Sequence, residues 1–536
     1  MSNLTKQNTK SFIIHPILFS IYPIIFIFSQ NIHLLPVTEI FLPIAIMLSL
    51  TGFTIFILGK KINNKNKIAL VISLLVIVFF SYGHVYNILN DSEFENSEIS
   101  RHRYLLIPFA ITAVLGTIYF LKSKKFFNNA TTIANGISAS IIVIISINIV
   151  GDFSSGNFYG NPESIQNEAW FGIGVPQENL MNDIFSDVEE RVTIKNEWQG
   201  KENLPDIYYI ILDEYPNNES LKKNYGFDNT EFLTFLENSG FYVVNNSFSN
   251  YPTTIQSLSS SLNMEYLDVL TTGVDVNSEN YHLLNKLLSD NVVMQKFSLL
   301  NYEIINIGSI WGPNGEFKNA TTNLCEFKEV NFDSLVRELL EKSMISYFYE
   351  RHFEQLRRDQ IMCEFNEFSD FNNKTNQPKF VFAHFLLPHA PYIFGPNGEH
   401  VTPGNSLNSE PWNERNAHIN QVKFLNKNLT EKIIPGLLDS NNKPIIILQG
   451  DTGSGHSIDW KDPTKEMIFE RMANLNVVYF PDSNYEEFYD EITPVNTFRI
   501  IFNKYFDEKY ELHDDKNFWS DGEKPYFYKD VSKILN

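Results

Sequence analysis

The chain has 536 residues and a net charge of −21, from 42 Lys and Arg against 63 Asp and Glu. That balance excludes nucleic acid as a partner, since binding a phosphate backbone needs basic surface. Its two cysteines, Cys325 and Cys363, are too few for a zinc–cysteine site.

Five apolar segments occupy the first 150 residues: Phe12–Ser29, Phe41–Leu58, Ile68–Tyr82, Tyr104–Leu121 and Ile133–Val150. Each approaches the roughly 20 residues a helix needs to cross a hydrocarbon core. Five in succession, separated by charged spacers, predict an N-terminal α-helical bundle of five membrane spans over residues 1–150. Lysines fall in alternate loops: Lys6 and Lys10 before the first span, Lys60, Lys61, Lys65 and Lys67 after the second, and Lys122, Lys124 and Lys125 after the fourth. The other loops are neutral or mostly acidic. Lysine-rich short loops stay cytoplasmic, so the N-terminus is expected inside and everything beyond the fifth span outside, at the cell membrane. The first span resembles a signal peptide, but no small-residue cleavage site follows it and four more spans do, so it is expected to be retained.

Residues 151–203 form a polar linker. A weakly amphipathic stretch within 176–198 (Leu180, Ile184, Phe185, Val188, Val192) fits either an interfacial helix or a linker helix packed on the outer domain. Residues 204–536 alternate strand and helix patterns. Ile207–Leu212 is a continuous apolar run of the kind buried on both faces of a sheet. Phe241–Val244, Tyr302–Ile307, Phe380–Phe385, Ile445–Leu448 and Leu475–Phe480 read likewise, with helical patterns at Thr230–Asn238, Leu284–Leu300 and Asn420–Ile434. The alternation predicts an α/β domain with a largely parallel sheet. Both cysteines fall in it, where a disulfide is permitted outside the cell; two buried free thiols are the alternative.

Ligands bind open α/β sheets just past the carboxyl ends of the strands. Asp213 follows Ile207–Leu212 directly, and Asp451 follows Ile445–Gly450, so two acids at two strand ends suggest a metal site. Between them in sequence, Pro252-Thr253-Thr254-Ile255-Gln256-Ser257 opens a helix. It is either an ordinary N-cap or a nucleophile at a helix N-terminus, where backbone N–H groups receive phosphate.

Asp213 after a buried strand, Thr254-x-x-Ser257, Pro388-His389-Ala390-Pro391 and Gln449-Gly450-Asp451-Thr452-Gly453 occur in an order that resembles the alkaline phosphatase superfamily. The closer resemblance is to its sulfatase-like membrane branch, which includes lipoteichoic acid synthase and the lipid A phosphoethanolamine transferases. That resemblance implies five N-terminal spans, an outer catalytic domain, and a divalent metal (Zn, Mn or Mg). It also implies transfer of a phospholipid head group, phosphoethanolamine or phosphoglycerol, to a surface glycan or lipid through a phospho-threonine. By the same resemblance Asp213 and Asp451 are acidic metal ligands, Thr254 is nucleophile and ligand, and His389 faces substrate. Thr254 is preferred to Thr253 because it alone gives the spacing to Ser257. His384 is a weaker substrate-site candidate or else a satisfied strand-end histidine, and Glu214 is either a second acidic ligand or a solvated neighbour.

The family's Asp-His-Gly is here Asp451-Thr452-Gly453, so an imidazole ligand is missing. His456, five residues past Asp451 in a glycine-flanked loop, is the expected substitute; otherwise the site favours a harder metal bound through oxygen. A catalytically impaired sensor or assembly protein is the alternative. True sulfatase chemistry is not expected, because Thr254-Ile255-Gln256-Ser257-Leu258 lacks both the modifiable Cys or Ser and the arginine of that motif.

Overall fold

The computed structural model describes residues 12–32, 35–90, 102–155, 204–278, 281–308, 317, 319–325, 334–370, 377–401, 414–440, 442–456 and 458–535. The interfacial or linker helix expected within 176–198 lies outside them.

Each apolar segment of the N-terminal part is a helix: α1 (His15–Gln30), α2 (Phe41–Gly59), α3 (Lys65–Asn90), α4 (His102–Lys122) and α5 (Asn128–Ser155). Four of the five, α2 to α5, are long and apolar enough to cross a membrane. The fifth, α1, has only 16 residues, about 24 Å at the α-helical rise. All five expected apolar segments are thus helical, and among the described residues α1 is shorter than the other four. The shortening has a local cause. Ile14 precedes Pro16, and the N–H groups of Ile14 and His15 donate to Asn135 Oδ1 on α5, so the helix starts there. Burial also separates α1 from α2: Ile24, Ile27 and Phe28 are buried, whereas Phe53 and Phe56 of α2 are exposed.

Residues 334–353, far along the sequence, group with these helices. They hold helix α11 (Ser334–Glu341), whose Leu335 and Leu339 join Ile24, Ile27 and Phe28 in one apolar cluster. Helix α12 (Ser346–Asp370) follows, and from Glu354 onward it groups with the sheet.

The second unit is built on a seven-stranded sheet. Its strands are β1 (Ile207–Leu212), β2 (Tyr242–Val243), β3 (Glu303–Ile307), β4 (Thr322–Leu324), β5 (Lys379–Phe385), β6 (Ile445–Gly450) and β7 (Asn476–Tyr479), in spatial order β2-β7-β6-β1-β5-β3-β4. The pairs β1–β5, β1–β6, β3–β5 and β3–β4 are parallel, and only the pairs made by β7 are antiparallel. Strand β1 is therefore central, which is why all six of its residues are buried. Alternate residues face opposite layers. Tyr209 and Ile211 pack with Phe380, Phe382 and helix α8 (Thr254–Asn263), while Tyr208, Ile210 and Leu212 pack with Phe385 and helix α13 (Glu414–Asn428) on the other face.

Other helices are α6 (Asn218–Tyr225), α7 (Thr230–Asn238), α9 (His282–Ser289), α10 (Val292–Leu299), α14 (Lys465–Met472) and α15 (Thr497–Phe506). The single helical pattern over Leu284–Leu300 resolves into α9 and α10 because the Asn291 side chain accepts from Met294 N–H and starts a new helix. Cys325 and Cys363 are disulfide-bonded, tying the segment after β4 to α12.

Candidate functional site

Parallel register assembles the site. Ile211 of β1 is level with His384 of β5 and Gln449 of β6, and Leu212 is level with Phe385 and Gly450. One step further along, β1 delivers Asp213 and β6 delivers Asp451. His384 shares the sheet face of Phe380 and Phe382, the face that α8 covers. Three adjacent strand ends thus converge, and ligand atoms of Asp213, His384 and Asp451 all lie within 4.8 Å of one another, every one of them buried. His384 Nε2 is 3.7 Å from Asp213 Oδ2.

Helix α8 brings the hydroxyl. Thr253 occupies the N-cap position but makes no capping hydrogen bond; its hydroxyl donates to Gln256 Oε1 instead. Thr254, the first helical residue, has its hydroxyl beside Asp451. One turn on, Ser257 Oγ donates to the Asp451 backbone carbonyl at 2.7 Å and so ties α8 to the end of β6. The Asp451 carboxylate is held in turn by the N–H groups of Glu214, at 2.8 Å, and of Thr452, at 2.7 Å.

The electrostatics of the centre are compatible with a divalent cation. Burial pushes Asp213 up to about 7, with Glu214 adding to the rise and Arg357 and Arg471 opposing it. Asp451 is likewise pushed up to about 7, by burial and then by Asp213, with the Thr254 hydroxyl offsetting part of the rise. Burial lowers His384 to about 3, leaving a neutral imidazole, the form that binds metal. Asp213 Oδ1, Asp451 Oδ2 and Thr452 Oγ1 are buried without a hydrogen-bond partner. Two crowded carboxyls, a neutral imidazole and unsatisfied oxygens are what a divalent ion would relieve, and the oxygen–nitrogen donor set suits zinc or manganese.

Glu214 lies outside this cluster. Its side chain pairs with Arg471 and lies 3.7 Å from His389 Nε2, so it is an ion-paired neighbour rather than a solvated one. Although burial would raise it, Arg471 and His389 hold its carboxyl below the ordinary glutamate value. His389 stands at the edge, with 42% of its side chain exposed, and its N–H donates to the Asp213 carbonyl at 3.1 Å.

His456 is not among the grouped ligands. Tyr225 Oη lies 3.0 Å from its Nδ1 and Tyr392 Oη 3.2 Å from its Nε2, and its ring packs edge-on against His418. In this structure His456 is not grouped with Asp213 and Asp451, and the start of its loop is held at Gly453. A Cβ at Gly453 would lie 2.3 Å from the Glu470 carbonyl, and Gly453 N–H donates to the Arg471 carbonyl at 2.7 Å. Glycine there serves close packing rather than pliability. Instead the imidazole of the cluster comes from β5, as His384.

Sequence reasoning missed Arg357 and His418. Arg357, buried on α12, donates to the carbonyls of Leu386 at 2.9 Å and His389 at 3.3 Å, and so holds the loop that carries His389. Neither residue belongs to a local motif. The β-strand alternation Phe380-Phe382-His384 did place His384 on the α8 face, a signal readable from the sequence.

No protein-family model matches the chain, and no curated protein does. Among solved structures similar to it, the C-terminal periplasmic domain of EptC from Escherichia coli covers 63% of this chain and 94% of its own, at 13% identity and a TM-score of 0.43. The integral membrane lipooligosaccharide phosphoethanolamine transferase A (EptA) from Neisseria meningitidis covers 88% of both chains, at 13% identity and a TM-score of 0.36. A phosphonate monoester hydrolase of Agrobacterium radiobacter covers 59% of this chain and 80% of its own, at 10% identity and a TM-score of 0.36. The TM-scores of these neighbours all lie below 0.5, and the functional reading rests on the residues themselves.

Proposed function

We propose that the chain is a membrane-anchored, metal-dependent enzyme acting on phosphate esters, with Thr254 as nucleophile. The observation that supports this best is the Thr254 hydroxyl at a helix N-terminus, beside a buried Asp213–His384–Asp451 cluster. Asp213, His384 and Asp451 would hold the ion, with Thr254 at its edge. Bound there, a divalent cation supplies charge neutralisation on phosphoryl oxygens and acidifies a neighbouring hydroxyl.

The remaining chemistry belongs to the chain. Thr254 Oγ, its proton released to solvent beforehand, attacks phosphorus as the alkoxide, forming the Oγ–P bond as the bond to the donor's leaving oxygen breaks, and departs again as the alkoxide in the second step. Backbone N–H groups at the start of α8 receive the phosphoryl oxygens. His389, half-exposed at the edge of the cluster, protonates the leaving oxygen and then takes the proton of the incoming hydroxyl as that oxygen displaces Thr254. A phospholipid donor of phosphoethanolamine or phosphoglycerol and a surface glycan or lipid acceptor fit an enzyme held beside the bilayer, where tethering raises the effective concentration of a membrane-confined donor. On this reading the lysine-rich loops face the cytoplasm and the α/β unit lies outside. His384 offers the imidazole whose absence at position 452 motivates the impaired-enzyme alternative.

Mass spectrometry of the full chain after incubation with phospholipid tests the reading. A head-group phosphate adduct on Thr254 is expected. An adduct on Thr253, or turnover without any adduct, overturns the assignment.

A further inference from the structure

Within the helical unit, one contact is made by backbone rather than side chains. Gly83 of α3 donates its N–H to the Lys342 carbonyl at 3.1 Å, and Met344 N–H donates to the Phe79 carbonyl at 3.0 Å. Phe79 and Gly83 are four residues apart, the spacing of a helix's own hydrogen bond, so residues 342–344 bond to both groups of one rung of the α3 ladder. The approach is so close that a Cβ at Gly83 would lie 2.4 Å from Lys342 Cα and 2.6 Å from its carbonyl carbon. Only glycine fits. Two further ties hold the segment: Leu335 N–H donates to Glu39 Oε2 at 2.9 Å, placing an acid at the start of α11, and Leu335 and Leu339 are buried with Ile24, Ile27 and Phe28.

The docking level on α3 is informative. Gly83 lies about 10 Å from the C-terminal end of α3 at the α-helical rise, the end opposite Lys65 and Lys67. Where the docked segment turns outward it presents Ile345, 41% exposed, and Phe348, 66% exposed, followed by exposed Arg351 and His352. The apolar exposure continues that of the same unit's helices, with Val114 of α4 at 56% and Ile147 of α5 at 64%. Exposed apolar residues beside polar and basic ones, at the level of a helix end, are the pattern of a segment lying in the headgroup–acyl boundary.

We infer that residues 334–353 are a membrane-seated wedge of the helical unit, anchored on Gly83 and placing Ile345 and Phe348 in the outer boundary of a phospholipid bilayer. The inference rests on reading the N-terminal helices as membrane spans. The segment that precedes β5 in sequence thereby works as part of the anchor. Its net charge is zero, from Arg337, Lys342 and Arg351 against Glu338, Glu341 and Glu350, so its contact with lipid is made through apolar side chains and does not require anionic headgroups.

The test uses the full chain in phosphatidylcholine nanodiscs with doxyl-labelled lipid, carrying a fluorophore at Phe348→Cys or, as the control for membrane insertion, at Val114→Cys. The wedge gives lipid quenching at both positions and weak quenching by aqueous iodide at 348. Quenching at 114 with none at 348 overturns the wedge and leaves the membrane reading intact, whether 348 proves open to iodide or covered by a second copy or another protein. Absence of quenching at 114 removes the membrane reading and the wedge with it. Adding Gly83→Val should abolish lipid quenching at 348 while 114 keeps it; retention at 348 overturns the anchoring role of Gly83.

Discussion

Two histidine neighbourhoods differ in what surrounds the imidazole. His384 sits on β5, next to the central strand, and is grouped with two buried carboxylates that each carry an oxygen without a hydrogen-bond partner. His456 sits on a loop with both ring nitrogens near tyrosine hydroxyls. Sequence proximity to Asp451 favours His456, only five positions away, over His384, which is 67 positions away. Parallel strand register reverses that order. A metal site belongs to whichever groups the sheet brings together, and a ring whose nitrogens are already engaged has less to offer an ion.

The sharpest break of this comparison is at the nucleophile. Thr254→Ala should lower turnover at least about 10³-fold, the scale of losing a covalent nucleophile, with the metal content of the protein retained. Thr253→Ala should stay near wild type, since its hydroxyl bonds Gln256 and caps nothing. Steady-state rates with a phosphodiester substrate, beside metal analysis, decide it. Equal losses in both variants would contradict the assignment.

Next comes His384→Ala. Removing a ligand should cost more metal affinity than the 10–100-fold typical of residues that merely support ligands. Asp213→Asn should behave alike. Competition titration with a chelator measures both, and an unchanged affinity in His384→Ala would return the imidazole question to other residues.

Much of this was legible in the sequence. Ile207–Leu212 was readable as a central strand because only a strand covered on both faces is apolar at six successive positions. The places of Asp213 and Asp451 at strand ends and of Thr254 at a helix start were readable, and their roles stay proposals. What was not legible depends on contacts distant in sequence. Arg357 reaches the His389 loop from a helix with no motif, and the pinning of Gly453 depends on the Glu470 carbonyl. The break between α9 and α10 was hidden because Leu284–Leu300 keeps its apolar spacing through Asn291. Residues 334–353 carry no sign in sequence that they pack with helices that precede them by some 250 positions.

The comparison also has a pH signature. Asp213 and Asp451 rise from 3.8 to about 7 on burial, so the metal-free folded protein holds protons that the unfolded chain has released. Their contribution is fully present below 3.8 and is lost as pH rises toward about 7. Thermal unfolding with a chelator should therefore show stability falling across that window, and added divalent metal should flatten the fall by replacing the protons. Identical profiles with and without metal would show that the carboxyls do not hold it.

The smallest effect is expected at His456. His456→Ala removes the polar contacts to Tyr225 and Tyr392, a cost of about 1–3 kcal/mol. Tyr225 Oη retains Glu470 Oε1 at 3.4 Å, which places the loss toward the lower end. Metal affinity should match wild type, because none of the grouped ligands is touched. Turnover should change only through the loop that His456 helps to hold, so KM should move more than kcat. His456→Gln, which can both donate and accept, should recover most of the stability. A steep loss of metal in His456→Ala, with His384→Ala unaffected, would invert the comparison and give the site back to the residue nearest in sequence. Parallel chelator titrations of the two variants separate these outcomes without relying on any particular substrate.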